Sequence, residues 1–284
     1  MEKRQIYTVC WNITRKCNEN CSFCYRTIAN DLSLEKNKTI ADKLIDHGVE
    51  KITFAGGEPL LYEDLFALAE YIKNKNPNII LSLTTNGILI NKDNALLITK
   101  LFDWITLDIE SNKSTYHELV GRGKDHLEKN KKNLKYFSKK INVKVNTVAT
   151  RLNIKDIPKI YTIIEKYNVE RWKIFRYYSI TYKSITNKDI FSITNEQFRK
   201  LKEEINKMNK SDTLIDFNDT EDFETTYFSI FPDGSLKDNK GNVTCNLLVD
   251  SIDKCIENTN LTNHIARRMR YNKINKSLKR VKTI

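Results

Sequence analysis

Arg15-Lys16-Cys17-Asn18-Glu19-Asn20-Cys21-Ser22-Phe23-Cys24-Tyr25-Arg26 packs three of the chain's six cysteines into eight residues. Cys10, Cys245 and Cys255 stand apart from it. A chain of 284 residues buries a sizeable core without covalent staples, so clustered thiols point to a metal or redox centre. Three thiolates at x3 and x2 spacing can wrap one face of an iron–sulfur cube and leave the fourth iron without a protein ligand. Structural zinc asks for four ligands, and Cys245 or Cys255 would have to supply the last from more than 200 residues away. A dithiol redox pair has no use for the third cysteine.

Downstream lies Lys51-Ile52-Thr53-Phe54-Ala55-Gly56-Gly57-Glu58-Pro59-Leu60, a short strand closed by two glycines, an acid and a proline. Glycines directly after a strand let the backbone approach a ligand closely, and a carboxylate such as Glu58 accepts hydrogen bonds from an ammonium group. From there the periodicity extends over residues 7–177, where strand and helix alternate six times. Strands are expected at 7–13, 51–54, 79–84, 104–109, 143–149 and 171–177. The helices between them include 34–47, stopped by Gly48, and 156–167, with Pro158 in its first turn. Repeated βα units imply a parallel sheet with helices outside.

Buried parallel strands normally read as continuous apolar runs. These alternate. Ile105 and Leu107 oppose Thr106 and Asp108, Val143 and Val145 oppose Lys144 and Asn146, Trp172 and Ile174 oppose Lys173, and Ile52 and Phe54 oppose Lys51 and Thr53. One face therefore packs on helices, while the other is polar and carries lysines. An unpaired buried ammonium costs several kcal/mol. Lys51, Lys144 and Lys173, with Arg122 nearby, thus imply a cavity for a multiply anionic, phosphate-rich ligand. After Tyr177 the alternation ends. A helix near 194–208 opens with the capping box Thr194-Asn-Glu-Gln197, extended segments follow near 213–217 and 224–231, and Pro232-Asp-Gly-Ser marks a turn.

The composition, 40% hydrophobic and 30% charged, excludes disordered and fibrous classes. No stretch approaches the roughly 18 apolar residues of a membrane span. With no apolar signal core near the start, a cytoplasmic location is expected. The net charge of +12 suggests nucleic acid until its distribution is read. Residues 265–284 hold eight basic residues and no acid, leaving 40 basic against 36 acidic residues elsewhere. The excess belongs to that tail, which reads as a solvated basic terminus; nucleic acid is expected, if anywhere, only there.

The three-cysteine motif followed by Gly-Gly-Glu-Pro resembles the radical S-adenosylmethionine (radical SAM) superfamily. The resemblance implies an α/β fold, a partial (βα)6 TIM-like barrel over 1–180, with a C-terminal α+β extension over 181–264 closing it. It implies a 4Fe-4S cluster on Cys17, Cys21 and Cys24, with S-adenosylmethionine (SAM) on its open iron. SAM contacts would come from Phe23, Gly56, Gly57, Glu58, Thr85, Asn86 and Asp108. Trp11-Asn-Ile-Thr-Arg-Lys-Cys17, Val120-Gly-Arg-Gly123, Val143-Lys-Val-Asn-Thr-Val-Ala-Thr-Arg151 and Val169-Glu-Arg-Trp-Lys-Ile-Phe-Arg176 further resemble the viperin family, in its minimal prokaryotic form.

Viperins are nucleotide dehydratases, which implies a nucleoside triphosphate substrate with its Mg2+, a flavodoxin- or ferredoxin-type electron donor, and a role in antiviral defence. Lys51, Lys144 and Lys173 match positions that hold the triphosphate; Arg122 would add a guanidinium, Asn146 a hydrogen bond and Tyr227 a substrate contact or proton donor. The sequence departs from the family at Cys10, where asparagine is frequent, and at Asp108, where serine is. A radical SAM enzyme acting on a peptide or tRNA is the first alternative, and a non-catalytic iron–sulfur or zinc protein the second. Cys245 and Cys255 are too few for an added cluster and read as plain buried cysteines.

Overall fold

The computed structural model describes residues 5–25, 29–238 and 241–264; the basic tail, 265–284, lies outside the described residues. Its frame is a sheet of eight parallel strands: β1 (Thr8–Thr14), β2 (Lys51–Gly56), β3 (Ile80–Thr85), β4 (Trp104–Asp108), β5 (Asn142–Ala149), β6 (Arg171–Arg176), β7 (Leu214–Asn218) and β8 (Phe228–Ile230). The spatial order is β7-β6-β5-β4-β3-β2-β1-β8. The six expected strands are all present, shifted by a residue or two at their ends. The helices are α1 (Leu34–Asp46), α2 (Leu65–Lys75), α3 (Lys92–Leu101), α4 (Ser114–Leu119), α5 (His126–Phe137), α6 (Ile157–Lys166), α7 (Tyr182–Thr186), α8 (Lys188–Phe191), α9 (Asn195–Met208), α10 (Thr220–Thr225) and α11 (Ile252–Glu257).

The alternation decides which side of the sheet meets the helices. Trp11, Phe54, Leu107, Val145 and Trp172 are all buried in one apolar core with Leu44 of α1, Leu68 of α2 and Ile160 of α6. Burying each such side chain stabilises the fold by about 1.5–3 kcal/mol, so a one-residue slip that exchanged the two faces would be untenable. The opposite face is concave and polar. Across it the register aligns Thr84, Thr106, Lys144 and Arg171 in one row, and Asp108, Asn146, Lys173 and Asp216 in the next.

The extension supplies both edges of the sheet rather than a separate layer. The segment expected at 213–217 became β7, paired with β6, whereas 224–231 begins as the end of α10 and becomes extended only in β8, which pairs with β1. The helix wins at 219–225 because Asp219 caps it, accepting from Thr220 N at 2.7 Å, with Asp222 reciprocating on Asp219 N at 2.9 Å. β7 and β8 do not pair; the chain crosses between them through α10, so the barrel is partial. Thr194 caps α9 as expected, exchanging bonds of 3.1 and 2.8 Å with Gln197.

Beyond Pro232 a hairpin forms from β9 (Ser235–Lys237) and β10 (Val243–Asn246). Cys245 and Cys255 are not plain buried thiols: they are joined as a disulfide between β10 and α11, with Cα atoms 5.4 Å apart. The pair's Cα spacing is what a bridge requires, and this small hairpin has little core of its own to hold it. No helix among the described residues is long and apolar enough to cross a membrane.

Candidate active site

The loop after β1 brings Cys17, Cys21 and Cys24 to one pocket, which Glu19, Asn20, Gly57 and Lys183 also line. The loop is held by backbone: Ser22 N donates to Val120 O at 2.8 Å, and Cys24 N to Cys21 O at 3.2 Å. Burial pushes the Cys21 thiol up to about 12, with the Arg122 charge opposing. Phe23, expected among the SAM contacts, packs with Cys21, Tyr116, Val120, Tyr177 and Phe191, 5.6 Å from the Arg122 guanidinium.

Gly56 and Gly57 have a structural reason that the sequence did not reveal. A Cβ on Gly56, whose φ is +133°, would lie 2.5 Å from Thr14 O, and one on Gly57 would lie 2.0 Å from Lys16 O. The close approach lets Gly57 N donate to Thr14 O and Glu58 N to Lys16 O, both at 2.7 Å, so the turn after β2 seats the cysteine loop. Glu58 does not face the pocket. It is fully buried and accepts from Leu60 N (3.1 Å), Thr85 Oγ1 (2.7 Å) and Asn86 N (2.7 Å). It ties the ends of β2 and β3 together, and burial raises its carboxyl to about 7. Asn86 in turn donates to Asn18 Oδ1 at 2.8 Å, inside the cysteine motif. The Gly56–Glu58 turn, Thr85 and Asn86 are thus bonded to the loop or to one another at the C-terminal ends of their strands. Asn130 joins Asp108 to them, donating to Asn86 O (2.9 Å) and Asp108 O (3.1 Å).

Arg122 corrects a sequence expectation. A buried guanidinium must be paired, and this one already is: Nη1 meets Glu19 Oε2 at 2.9 Å, and Nη2 meets Glu110 Oε1 at 2.7 Å and Asp108 Oδ2 at 3.3 Å. It binds the protein's own carboxylates rather than standing ready for a substrate anion. Burial pushes both Glu19 and Glu110 up, with Arg122 opposing. Glu110, His117 and His126 set three potential ligand atoms within 4.8 Å, the composition of a metal site. The hydrogen bonds argue otherwise. Arg122 Nη1 donates to His126 Nε2 at 3.0 Å, which places that ring's proton on Nδ1 and removes the remaining lone pair. The guanidinium is the cation of this cluster. Sequence reasoning missed Glu19, Glu110 and both histidines; the four-residue spacing of Arg122, His126 and Asn130, with His126 and Asn130 one turn apart on α5, was the available signal.

The concave face carries the other expected residues. Lys51 and Lys173 are 8% and 3% exposed, turned inward rather than to solvent. Lys51 lies 5.0 Å from the Trp104 ring. Lys173 lies between the rings of Phe175 (4.9 Å) and Tyr227 (5.1 Å) and donates to Tyr227 Oη at 2.5 Å. Asn218 Nδ2 donates to the same hydroxyl at 2.9 Å, so Tyr227 bridges the gap between β6–β7 and β8. Lys144 and Asn146 share this face on β5, half-buried. Arg171, which sequence reasoning passed over, is neutralised by Asp216 of β7. Lys51, Lys144 and Lys173 thus lie on the one polar face of the sheet.

A family model described as the radical SAM superfamily matches residues 11–164. The chain belongs to the radical SAM superfamily. It is 33% identical over 233 residues to an S-adenosylmethionine-dependent nucleotide dehydratase of Thermoplasmatales archaeon (strain ISO4-H5), covering 78% of this chain and 79% of that one. A protein of the same description from Flammeovirga pacifica is 29% identical over 253 residues, 83% of each chain. Among solved structures, Streptococcus suis SuiB bound to S-adenosylmethionine superposes with a TM-score of 0.72 at 17% identity, over 92% of this chain and 68% of that chain. The half-barrel is the fold of these radical SAM neighbours, and membership implies a 4Fe-4S cluster and SAM. The donor set fits: three thiols and Gly57 line one pocket, and no fourth cysteine lines it.

Proposed function

We propose that the protein is a nucleotide dehydratase that converts a ribonucleoside triphosphate into its 3′-deoxy-3′,4′-didehydro analogue, in the service of antiviral defence. The observation that carries this reading is the shared concave face. Lys51, Lys144 and Lys173 project from the same sheet whose strand ends hold the cysteine pocket. Cys17, Cys21 and Cys24 would hold the cluster, and the Gly56–Gly57 backbone, Thr85, Asn86 and Asp108 would hold SAM. When bound, that pair supplies the radical chemistry that removes the 4′ hydrogen of the nucleotide.

The chain's own contribution is placement. Three ammonium groups on one wall grip a polyanion at fixed depth, and with Mg2+ they offset the triphosphate charge. Asn146, the register partner of Lys173 across β5 and β6, would hydrogen-bond the nucleotide, and Tyr227 would touch the substrate where Lys173 holds its hydroxyl. Glu58 and Asn130 fix the strand ends to which SAM binds. The apolar wall of Phe23, Tyr116, Tyr177 and Phe191 keeps water from the back of the cysteine loop. Two relatives described as nucleotide dehydratases along most of their length support the same reading.

The test is to supply anaerobically reconstituted protein with SAM, a reductant and each nucleoside triphosphate in turn. A product 18 Da lighter than its substrate is expected from loss of water. Formation of 5′-deoxyadenosine with no such product from any of the four would refute the dehydratase reading while leaving the radical SAM assignment intact.

A further inference from the structure

β8 is the shortest strand of the sheet, and Tyr227 stands immediately before it. Its ladder on β1 runs only over Val9–Phe228, Cys10–Ser229 and Trp11–Ile230, and no strand pairs its other edge. Three rungs on one side hold a strand weakly. What extends the hold is a side chain from 38 residues downstream. Tyr7 N donates to His264 Nε2 at 3.0 Å, and His264 Nδ1 meets Thr226 O at 2.9 Å. A backbone N–H only donates and a carbonyl only accepts, so this ring is neutral with its proton on Nδ1. The imidazole thus stands in for one more rung between the two strands. It also stacks on Tyr7, with centroids 6.2 Å and planes 13° apart. Asn263 doubles the hold one residue earlier, donating from N to Thr225 O (3.0 Å) and from Nδ2 to Thr225 Oγ1 (2.9 Å). His264 and Thr226 are 2% and 3% exposed, so losing the bridge would strand buried polar groups.

Both ends of this bridge lead to the lysine face. Thr226 precedes Tyr227, whose hydroxyl accepts from Lys173 of β6 and Asn218 of β7. Tyr7 O accepts from Lys51 N at 3.0 Å. One imidazole therefore ties the backbone beside Tyr227 to the backbone beside Lys51. Because Tyr227 reaches over a gap that no ladder closes, the place of its hydroxyl depends on how the leading end of β8 is held. We propose that His264, assisted by Asn263, is a positioning residue for the substrate chamber: it holds Tyr227 against Lys173 and in register with Lys51. The inference rests on the nucleotide reading of that chamber and adds two residues to it. Nothing local to Asn263-His264 signals the role, since the partners of His264 lie 38 and 257 residues away in the chain.

The test uses the full-length protein, reconstituted and anaerobic, titrated calorimetrically with ATP, GTP, CTP and UTP; the nucleotide that wild type binds most tightly serves for every comparison. His264→Phe keeps a ring of similar size and removes both bonding nitrogens. Its Kd should rise about tenfold. His264→Gln, whose amide offers one donor and one acceptor as the neutral imidazole does, should return the Kd to within about threefold of wild type. If His264 acts through Tyr227, adding His264→Phe to Tyr227→Phe should weaken binding by less than about twofold beyond Tyr227→Phe alone, because residues that share one route do not have additive effects. An unchanged Kd in His264→Phe overturns the proposal, as does a glutamine variant as weak as the phenylalanine one, or losses that multiply in the double variant. Should His264→Phe not fold, Asn263→Ala takes its place against the same Tyr227→Phe background: a loss of about threefold that vanishes in that background is expected, and no loss, or one that multiplies, overturns the proposal. Wild type that binds none of the four nucleotides refutes the dehydratase reading itself, a separate failure.

Discussion

Replacing Arg122 with methionine keeps most of the side chain's volume and removes its charge. Glu19, Glu110 and Asp108 then lose their common cation, and the side chains of the first two are only 3% and 1% exposed. Breaking a buried ion pair from one side costs about 3–5 kcal/mol. The cost does not triple, because Glu110 and Glu19, already raised by burial, escape by taking up protons. At a slope of about 3 kcal/mol per molar urea, the midpoint should fall by roughly 1–1.7 M at pH 7.

The pH dependence carries the sign. A carboxyl whose folded pKa lies above its unfolded value contributes stability below the unfolded pKa and loses it as pH rises toward the folded one. Arg122 opposes both rises, so removing it lifts the two values further, and from pH 7.5 down to pH 6 the variant should gain stability more steeply than wild type. Urea denaturation of the cluster-free protein, followed by tryptophan fluorescence across that range, measures both quantities. Adding Glu110→Gln should restore part of the loss. A variant within 1 kcal/mol of wild type, or with a parallel pH profile, would refute the assignment of Arg122 as the counter-ion of this cluster.

Lys173→Ala should weaken nucleoside triphosphate binding by about 1.5–3 kcal/mol, the range for a charge-assisted hydrogen bond, and an unchanged Kd by calorimetry would take the residue out of the site. Gly57→Ala forces a Cβ to 2.0 Å from Lys16 O and should leave iron content after reconstitution far below wild type, measured by a colorimetric iron assay; full incorporation would show that the turn does not seat the loop. Reducing the disulfide closed over ten residues should cost about 2–3 kcal/mol, and identical urea midpoints with and without reductant would contradict it.

Most of the frame was legible in the chain because the alternation on β4, β5 and β6 left only one face fit for burial. The cysteine triplet and the inward lysines followed from spacing and from the cost of burying charge. What escaped lies in contacts between distant segments. Nothing local to Arg122 announces that Glu19, 103 residues earlier, turns toward it. Glu58 looked ligand-facing because a turn's direction is set by what it packs on, here Thr85 and Asn86. β7 and β8 are short, five and three residues, and join the sheet only because β6 and β1 present unpaired edges.

The missing ladder between β7 and β8 governs how the molecule can vary. Eight strands bonded in a full ring would hold one fixed bore, and widening it would unzip backbone pairs. Here the circumference is completed by a short crossover whose Phe223 lies within 5.9 Å of the rings of Tyr25, Phe175, Tyr178 and Tyr227. Lengthening or repacking that one stretch changes the calibre of the chamber without disturbing any strand pairing. The slit is thus where the shape of an acceptable guest can be retuned at least cost to the scaffold.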